Sequence, residues 1–251
     1  MAARKPLIAG NWKMFGRMVD LGEIAALDQA IGAASVKVDA LICPPAVFIA
    51  PAAWQARGKG VLIGAQDCSG VSADAARTGE MSAEMLADAG AKYVIVGHSE
   101  RRTQQGESNA AVKAKAEAAV AAGLIPIVCV GETRAERDGG HVAQVIGAQV
   151  SESVPDSTAI VVAYEPVWCI GGDRTPTPAE IGEVHSLIRS VLTERFGAEA
   201  NGIRILYGGA VSPKNAAEIF AVEGVDGALV GRASLKAVDF SAIILAHPAA
   251  S

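Results

Sequence analysis

The sequence predicts a closed (β/α)8 barrel, an α/β fold in which eight parallel strands each precede a helix. Three observations predict it: apolar segments recur eight times, helical segments separate them, and the length of 251 residues is typical of eight such units. Few apolar segments alternate with polar residues, which favours strands covered on both faces, as in a parallel sheet. No linker interrupts the pattern, so we expect residues 1–251 to form a single domain.

The predicted strands are short apolar runs rich in Val, Ile and Leu. They cover residues 6–12, 38–45, 60–67, 92–99, 124–132, 159–166, 203–210 and 226–233. A doubly wound open sheet is the alternative arrangement for alternating strands and helices. That fold usually has fewer strands, and no G-x-G-x-x-G motif follows the first run here, so the closed barrel is the preferred prediction.

The predicted helices lie between these runs and carry apolar residues at helical spacing. They cover residues 21–34, 82–91, 108–123, 139–150, 177–197 and 212–222. Thr177, Pro178 and Glu180 form the pattern of a helix start, and Ser212 before Pro213 forms a similar one. Three of the segments end in glycine, which is typical of a helix C-terminus.

The composition excludes some classes of function. The net charge is −5, and no block of like charge is present, so a nucleic-acid-binding surface is not expected. A small anionic ligand would need a local positive site. The four cysteines follow no C-x-x-C pattern and are expected to be reduced thiols. The first apolar stretch is short for a secretory signal and no run suits a membrane span, so we expect a cytoplasmic protein.

Polar residues and glycines collect at the predicted carboxyl ends of the strands, where barrels of this fold carry their active sites. They are, in strand order, Asn11 and Lys13, then His98, Ser99 and Glu100, then Cys129 and Glu132, then Glu165, and finally Gly208, Gly209 and Gly231. Any one of these residues alone is more commonly a loop anchor than a catalytic group. Their convergence on one rim is what predicts a functional site.

A carboxylate, an imidazole and an ammonium at one rim suit the removal of a proton next to a carbonyl group. The carboxylate is the base, the imidazole serves the oxygens, and the ammonium stabilises the oxyanion. The glycines of the last two strands indicate a phosphate site, because exposed backbone N–H groups ahead of a short helix can bind an anion. The alternative is that Gly208 and Gly209 only form a sharp turn.

Five motifs resemble the triosephosphate isomerase family in their order, spacing and placement at strand ends. They are AGNWKM at 9–14, YVIVGHSERR at 93–102, AYEPVWCIG at 163–171, ILYGGAV at 205–211 and GALVGRASL at 227–235. The resemblance extends from Pro6 to about Ala237. It implies a TIM barrel that converts dihydroxyacetone phosphate reversibly to D-glyceraldehyde 3-phosphate, a step of glycolysis and gluconeogenesis, with no metal and no organic cofactor.

The resemblance also implies residue roles. Glu165 would be the general base, and His98 a neutral electrophile and proton shuttle whose charged form is disfavoured by the helix that follows it. Lys13 and Asn11 would hold the developing enediolate oxygen. Glu100 would be a further catalytic residue, close to Lys13 and His98. The substrate and its phosphate would be bound by Asn11, Lys13, Gly171, Gly172, Ala210, Gly231 and Arg232.

A lid that closes over the substrate is implied directly after Glu165. Its first hinge would be Pro166, Val167 and Trp168, its tip Cys169, Ile170, Gly171, Gly172, Asp173 and Arg174, and its second hinge Thr175, Pro176 and Thr177. Closure would exclude water from the site and protect the labile enediolate.

The segment 66–82 resembles the long loop after strand three that docks into a second subunit. Thr78 would then reach Asn11 and Lys13 of the partner subunit, so a homodimer is expected. The alternative is a mobile surface loop, because a long segment without apolar periodicity suits either interpretation.

Seven positions depart from the residues common in the family. Cys169 replaces alanine, Gly172 threonine, Asp173 glycine, Arg174 lysine, Ala210 serine, Arg232 glycine and Asp67 asparagine. Asp173 is expected to alter the kinetics of the lid, and Asp67 to make subunit association sensitive to pH. At Arg232, either only the backbone N–H meets the phosphate, which is the preferred interpretation, or the guanidinium adds a contact.

Two other functions are open on the residues alone. A phosphate-binding aldolase would use Lys13 to form a Schiff base, and a barrel without catalysis would serve as a binding or scaffold protein. The presence of Asn11, Lys13, His98 and Glu165 together favours the isomerase.

Overall fold

The computed structural model describes residues 4–169 and 174–250, in which eight parallel strands close into a barrel. The strands are β1 (Leu7–Asn11), β2 (Asp39–Cys43), β3 (Val61–Ala65), β4 (Tyr93–Val96), β5 (Ile125–Val130), β6 (Val161–Tyr164), β7 (Arg204–Tyr207) and β8 (Gly227–Val230). Each strand pairs with its neighbour in sequence, and β8 pairs with β1, so Leu7 lies between Asp39 and Gly227. The predicted closed parallel barrel is confirmed.

The strands are joined by α-helices and short 3-10 turns. Within the described ranges the α-helices are α1 (Gly22–Ile31), α2 (Ile49–Ala56), α3 (Ala83–Asp88), α4 (Ser99–Gln105), α5 (Asn109–Ala121), α6 (Arg134–Asp138), α7 (Val142–Ser153), α8 (Pro178–Phe196), α9 (Ala216–Phe220) and α10 (Ala237–Leu245). No sequence signal predicts α2 or α6, which are short, or α10, which is apolar on most sides. Of the helices described, none combines the length and the apolar character that a bilayer crossing requires.

The predicted helix start at Thr177 is confirmed, and the one at Ser212 is wrong. Thr177 Oγ1 accepts a hydrogen bond from the Glu180 N–H (3.2 Å), and the Glu180 carboxylate accepts one from the Thr177 N–H (2.8 Å). Helix α9 begins only at Ala216. The Asn215 side chain accepts hydrogen bonds from the Ser212 N–H (2.8 Å) and hydroxyl (3.1 Å). This local turn takes the place of the first helical turn.

Alternating strand residues build two apolar layers. Leu7 and Ala9 belong to a buried cluster inside the barrel, whereas Ile8 between them belongs to the cluster that lies between the barrel and the helices. Both faces of the strands are therefore buried, which explains why the strand sequences are continuously apolar. The four cysteines are free, as predicted, and all four are buried.

Charged side chains close the amino-terminal end of the barrel. The Arg204 guanidinium donates to Asp39 (2.9 Å) and to the Tyr93 hydroxyl (2.8 Å), and Lys5 pairs with Asp39 at 2.7 Å. These residues stand at or next to the starts of four strands. Because paired charges fill this end, the open mouth of the barrel is at the carboxyl ends of the strands.

We expect Gly227→Ala to lower the free energy of unfolding by roughly 3 kcal/mol or more. Its φ is +141°, and an added Cβ would stand 1.9 Å from the Leu7 carbonyl oxygen. Gly147→Ala is the matched control. Apart from its own helix, no described residue comes within 4 Å of a Cβ at that position, and alanine in a helix interior is favoured by about 0.5–1 kcal/mol. Urea unfolding of both variants measures the difference, and similar midpoints would contradict the prediction.

Candidate active site

Three of the predicted functional side chains meet at the carboxyl end of the barrel. Asn11 ends β1, while His98 and Glu165 follow β4 and β6 closely. All three side chains are buried, and His98 Nε2 lies 3.0 Å from Glu165 Oε1. The fold therefore places an imidazole against a carboxylate that is distant in the sequence.

Glu165 is held at the mouth by its backbone and by its carboxylate. Its N–H donates to the Val130 carbonyl (2.8 Å), which extends the pairing of β5 with β6. Oε2 accepts from the Ser99 N–H (2.9 Å), and Oε1 accepts from the Ser99 hydroxyl (3.1 Å). Burial raises the pKa of this carboxyl group, but His98 and the two Ser99 donors lower it by more, so the net direction is down. Glu165 is therefore a buried, ionised carboxylate.

The two ring nitrogens of His98 have different partners. Nδ1 accepts from the Glu100 N–H (3.2 Å) at the start of α4, so the proton of the neutral ring lies on Nε2 and faces Glu165. Burial lowers the pKa of the ring, and the contact with Glu165 raises it by more. The net effect is that the pKa of His98 is raised, whereas the N-terminus of α4 alone would lower it.

Lys13 is held beside the mouth in an unusual backbone conformation. Its φ of +52° is the one positive value among the non-glycine residues that the structure describes. Its N–H donates to Asn11 Oδ1 (2.9 Å), and its carbonyl accepts from Gln66 Nε2 (2.8 Å). The Lys13 ammonium pairs with Glu100 Oε1 at 2.6 Å. The backbone and the side chain of Lys13 are therefore both held in place beside the mouth.

Backbone N–H groups without partners lie at the end of β7. Gly208 is not one of them, because its N–H donates to a carbonyl of β6 (2.7 Å). The N–H groups of Gly209 and Ala210 have no hydrogen-bond partner within residues 4–169 and 174–250. Two donors are therefore available to an anion at this strand end.

The end of β8 lies close to the Lys13 side chain. A Cβ placed on Gly231 would stand 3.7 Å from Lys13 Cε. Arg232 follows, with its side chain exposed. The residues predicted to bind phosphate after β8 are therefore next to the predicted ammonium of the site.

The predicted lid is described only at its two ends. The lid residues outside the described ranges are Ile170, Gly171, Gly172 and Asp173. Before them, Val167–Cys169 forms a 3-10 turn, and Trp168 Nε1 donates to Glu132 Oε1 (2.8 Å). After them, Arg174 pairs with Glu180 at 2.5 Å. The Arg174 guanidinium also lies 5.1 Å from the centre of the Trp168 ring, so the two ends of the segment are in contact.

The network around Trp168 was not foreseen in the sequence. The buried Glu132 Oε1 also accepts from the Tyr164 hydroxyl (3.0 Å) and from the Arg137 guanidinium (2.7 Å), and Arg137 reaches Glu180 at 3.3 Å. The available signal was an acidic residue, Glu132, at the end of a strand. Nothing in the spacing of Arg137 and Glu180 indicates that they meet, because α6 and α8 come together only in the fold.

A cavity of about 850 Å³ opens beside the site. Its lining joins Asn11, Lys13 and His98 to much of the segment 66–82 and to Met14, whose side chain is 92% exposed. Thr78 lies exposed in a turn of the same segment, outside this lining. In the part of the chain that is described, no group of three or more His, Cys, Asp or Glu side chains is arranged to hold a metal ion.

Asp67 belongs to a charged cluster on the wall of this cavity. It accepts from Lys115 (2.7 Å) and pairs with Arg101 (2.9 Å), and both cations also pair with Glu107. Burial raises the pKa of Asp67, the two cations lower it, and Glu107 raises it. The net direction is up, because removal from water outweighs the attraction of the cations.

Comparison with known proteins gives consistent results. The family model described as triosephosphate isomerase matches residues 6–247. The chain is 59% identical over 247 residues to the triosephosphate isomerase of Afipia carboxidovorans, covering 97% of this chain and 98% of that protein. It is 56% identical over 252 residues to that of Xanthobacter autotrophicus, with 99% of each covered. The crystal structure of triosephosphate isomerase from Bartonella henselae matches with a TM-score of 0.89 at 45% identity, covering 96% of this chain and 98% of that one.

We expect Asp67→Asn to stabilise the protein at pH 7 by about 1 kcal/mol or less. Because the folded-state pKa of Asp67 is raised, the wild type loses stability as pH rises from the ordinary aspartate pKa through the raised one. The variant lacks this loss, so the difference in stability between the variant and the wild type should shrink toward pH 4. Asp74→Asn, an exposed change in the same segment, is the control. Melting temperatures at both pH values test this, and a less stable Asp67→Asn variant at pH 7 would refute it.

Proposed function

The chain belongs to the triosephosphate isomerase family and is an isomerase, and from this premise we propose how its residues interconvert dihydroxyacetone phosphate and D-glyceraldehyde 3-phosphate. The observation that carries the proposal is the contact between the Glu165 carboxylate and the His98 ring at 3.0 Å, beside the Lys13 ammonium. A base, a hydrogen-bond donor and a cation then share one mouth. That set suits a proton transfer between neighbouring carbons through an enediolate.

Glu165 is the general base in this proposal. Its ionised state supports the role, since only a carboxylate accepts a proton. In the described conformation Ser99 and His98 occupy its oxygens. The carboxylate must therefore exchange these donors for the carbon-bound proton of the substrate. The deep burial of the group makes it a stronger base once those donors are removed.

His98 is the electrophile and proton shuttle. Its Nδ1 is held by the Glu100 N–H, which leaves the Nε2 proton free to face the substrate oxygens once Glu165 moves away. The pKa of the ring then falls, because the carboxylate that raises it is gone and burial remains. A neutral imidazole that both donates and accepts a proton is suited to moving it between two oxygens.

Lys13 and Asn11 hold the oxygen that becomes negative. The Asn11 side chain fixes the Lys13 backbone through a 2.9 Å hydrogen bond, and Glu100 pairs with the Lys13 ammonium. In this proposal Glu100 acts through Lys13 by holding its ammonium in position. A cation fixed before the reaction stabilises developing charge without a cost of reorganisation.

The phosphate is bound by backbone N–H groups at one side of the mouth. The unpaired N–H of Ala210 and the approach of Gly231 to Lys13 support this part of the proposal. We assign further contacts to the backbone at Gly171, Gly172 and Arg232 by resemblance to the family. The loss of a serine hydroxyl at Ala210 leaves the N–H donor in place.

The residues from Pro166 to Thr177 form the lid. The contacts of Trp168 with Glu132 and of Thr177 with Glu180 support hinges at these two ends, since each end is fixed to a helix or a strand end. A lid anchored in this way closes as a unit over the phosphate and excludes water.

We further propose that the chain is a homodimer in which segment 66–82 docks on a second copy, with Thr78 near the site of the partner. The cavity that joins this segment to the site supports the arrangement, as does the exposure of Met14 beside it. The reaction belongs to glycolysis and gluconeogenesis, and we place residues 1–251 in the cytoplasm as one catalytic domain. Side chains supply the base, the proton shuttle and the cation in this proposal, which includes neither a metal nor a cofactor.

Glu165→Gln should lower kcat by about two to four orders of magnitude, because an amide cannot accept the proton. An assay of dihydroxyacetone phosphate turnover measures the loss, coupled to oxidation of the aldehyde product by a dehydrogenase that reduces NAD+. Glu199→Gln, an exposed carboxylate remote from the mouth, is the control. If Glu165→Gln stayed within a few fold of the wild type, another residue would have to be the base.

Met14→Arg should convert the protein to a monomer, because a buried unpaired cation is costly at an interface. Val238→Arg is the control, since Val238 is also an exposed apolar residue, at 75%, but lies on α10. Sedimentation velocity of the three proteins at equal concentration gives the oligomeric state. A wild type that sediments as a monomer would overturn the proposed dimer.

A further inference from the structure

Arg232 is the arginine without a partner among residues 4–169 and 174–250. Its exposed guanidinium makes no hydrogen bond, ion pair or ring contact with any residue in these two ranges. Each of the other described arginines makes at least one such contact. A cation that the protein itself does not use is available to a ligand.

The position of Arg232 is next to the mouth of the barrel. It directly follows Gly231, where the backbone at the end of β8 comes close to the Lys13 side chain. A side chain that begins there and is free of the protein can extend over the side of the mouth where the proposed phosphate site lies. Its backbone is fixed by the short turn that follows, in which the Leu235 N–H donates to the Arg232 carbonyl (3.2 Å).

The other charges near the mouth do not favour an anion. Glu165 is ionised, and Glu100 neutralises Lys13 at 2.6 Å. Arg174, at the far end of the lid segment, is already paired with a glutamate. The whole chain carries a net charge of −5. A cation without a partner, close to the path of a doubly charged phosphate ester, would therefore add attraction that these paired charges do not supply.

We infer that the Arg232 guanidinium selects phosphorylated substrates by attracting the phosphate dianion to the mouth and donating hydrogen bonds to it. This inference rests on the proposed function and extends it, because a side chain joins the backbone donors of the phosphate site. A guanidinium suits the task, since its planar set of N–H donors matches the oxygens of a phosphate. Long-range attraction raises the rate of encounter, and the hydrogen bonds lengthen the stay of the bound ester.

The test compares Arg232→Gln and Arg232→Lys with the wild type on two substrates, D-glyceraldehyde 3-phosphate and unphosphorylated D-glyceraldehyde. The readout is the ratio of the two kcat/KM values. We expect Arg232→Gln to lower this ratio about tenfold at low ionic strength, and Arg232→Lys to lower it less, because lysine keeps the charge but loses the paired donors. The difference from the wild type should shrink in 0.5 M salt, where screening is strong.

Arg57→Gln is the matched control, because it removes the same charge from an exposed site. The Arg57 guanidinium lies 4.8 Å from the centre of the Trp54 ring, on the outer surface beyond α2. We expect the ratio of the two kcat/KM values in Arg57→Gln to equal that of the wild type. A ratio for Arg232→Gln within twofold of the wild type would overturn the inference. So would an equal loss on both substrates, since that marks a general disturbance of the fold.

Calorimetric binding of inorganic phosphate separates this inference from the proposed function. If the wild type turned over neither substrate, the proposed isomerisation would fail, and the dissociation constant for phosphate would still decide the role of Arg232. The inference is supported if the dissociation constant for phosphate rises about tenfold in Arg232→Gln at low salt and does not rise in Arg57→Gln. Equal constants in all three proteins, or no phosphate binding by the wild type, reject it.

Discussion

Closure of the barrel between β8 and β1 is the constraint on which the functional site depends. Leu7 pairs with Asp39 on one side and with Gly227 on the other, and the close approach at Gly227 leaves no room for a side chain. Once the ring of parallel strands is complete, every strand ends at the same mouth. Segments as distant as β1, β4 and β6 then deliver Asn11, His98 and Glu165 to one place.

The buried pair of Glu165 and His98 shows how this mouth holds charge away from water. Each group loses hydration, and each gains a partner that changes its pKa in the direction of the ion pair. Ser99 adds two donors to the carboxylate. A substrate that separates the pair removes the acceptor of the His98 Nε2 proton. One of the substrate oxygens must then accept that hydrogen bond. In the proposed mechanism this exchange turns a stable carboxylate into an effective base.

A second polar network fixes the segment that follows the base. Glu132 joins Trp168, Tyr164 and Arg137 at a single carboxylate oxygen, and Arg137 links this group to Glu180 on α8. Breaking the Trp168 contact leaves the buried carboxylate with the Tyr164 hydroxyl and the Arg137 cation, so the hinge can change partners without leaving a charge unpaired. The backbone just before Glu132 is also constrained. A Cβ on Gly131 would stand 1.8 Å from the Glu165 carbonyl oxygen, so only glycine fits there.

The sequence by itself determined the closed parallel barrel, since continuous apolar runs require burial of both strand faces and their number matches the ring. It also determined which strand ends carry Asn11, Lys13, His98 and Glu165, because those side chains lie within a few residues of predicted strand ends. Only the tertiary structure decided the contacts between them. Distances between segments that are remote in the chain decide the hydrogen bond from Ser99 to Glu165 and the one from Trp168 to Glu132. They also decide that the Arg232 guanidinium has no partner among the described residues. Local spacing carries no information about such distances. The start of α9 is different, because it depends on a local turn in which the Asn215 side chain accepts hydrogen bonds from the Ser212 N–H and hydroxyl.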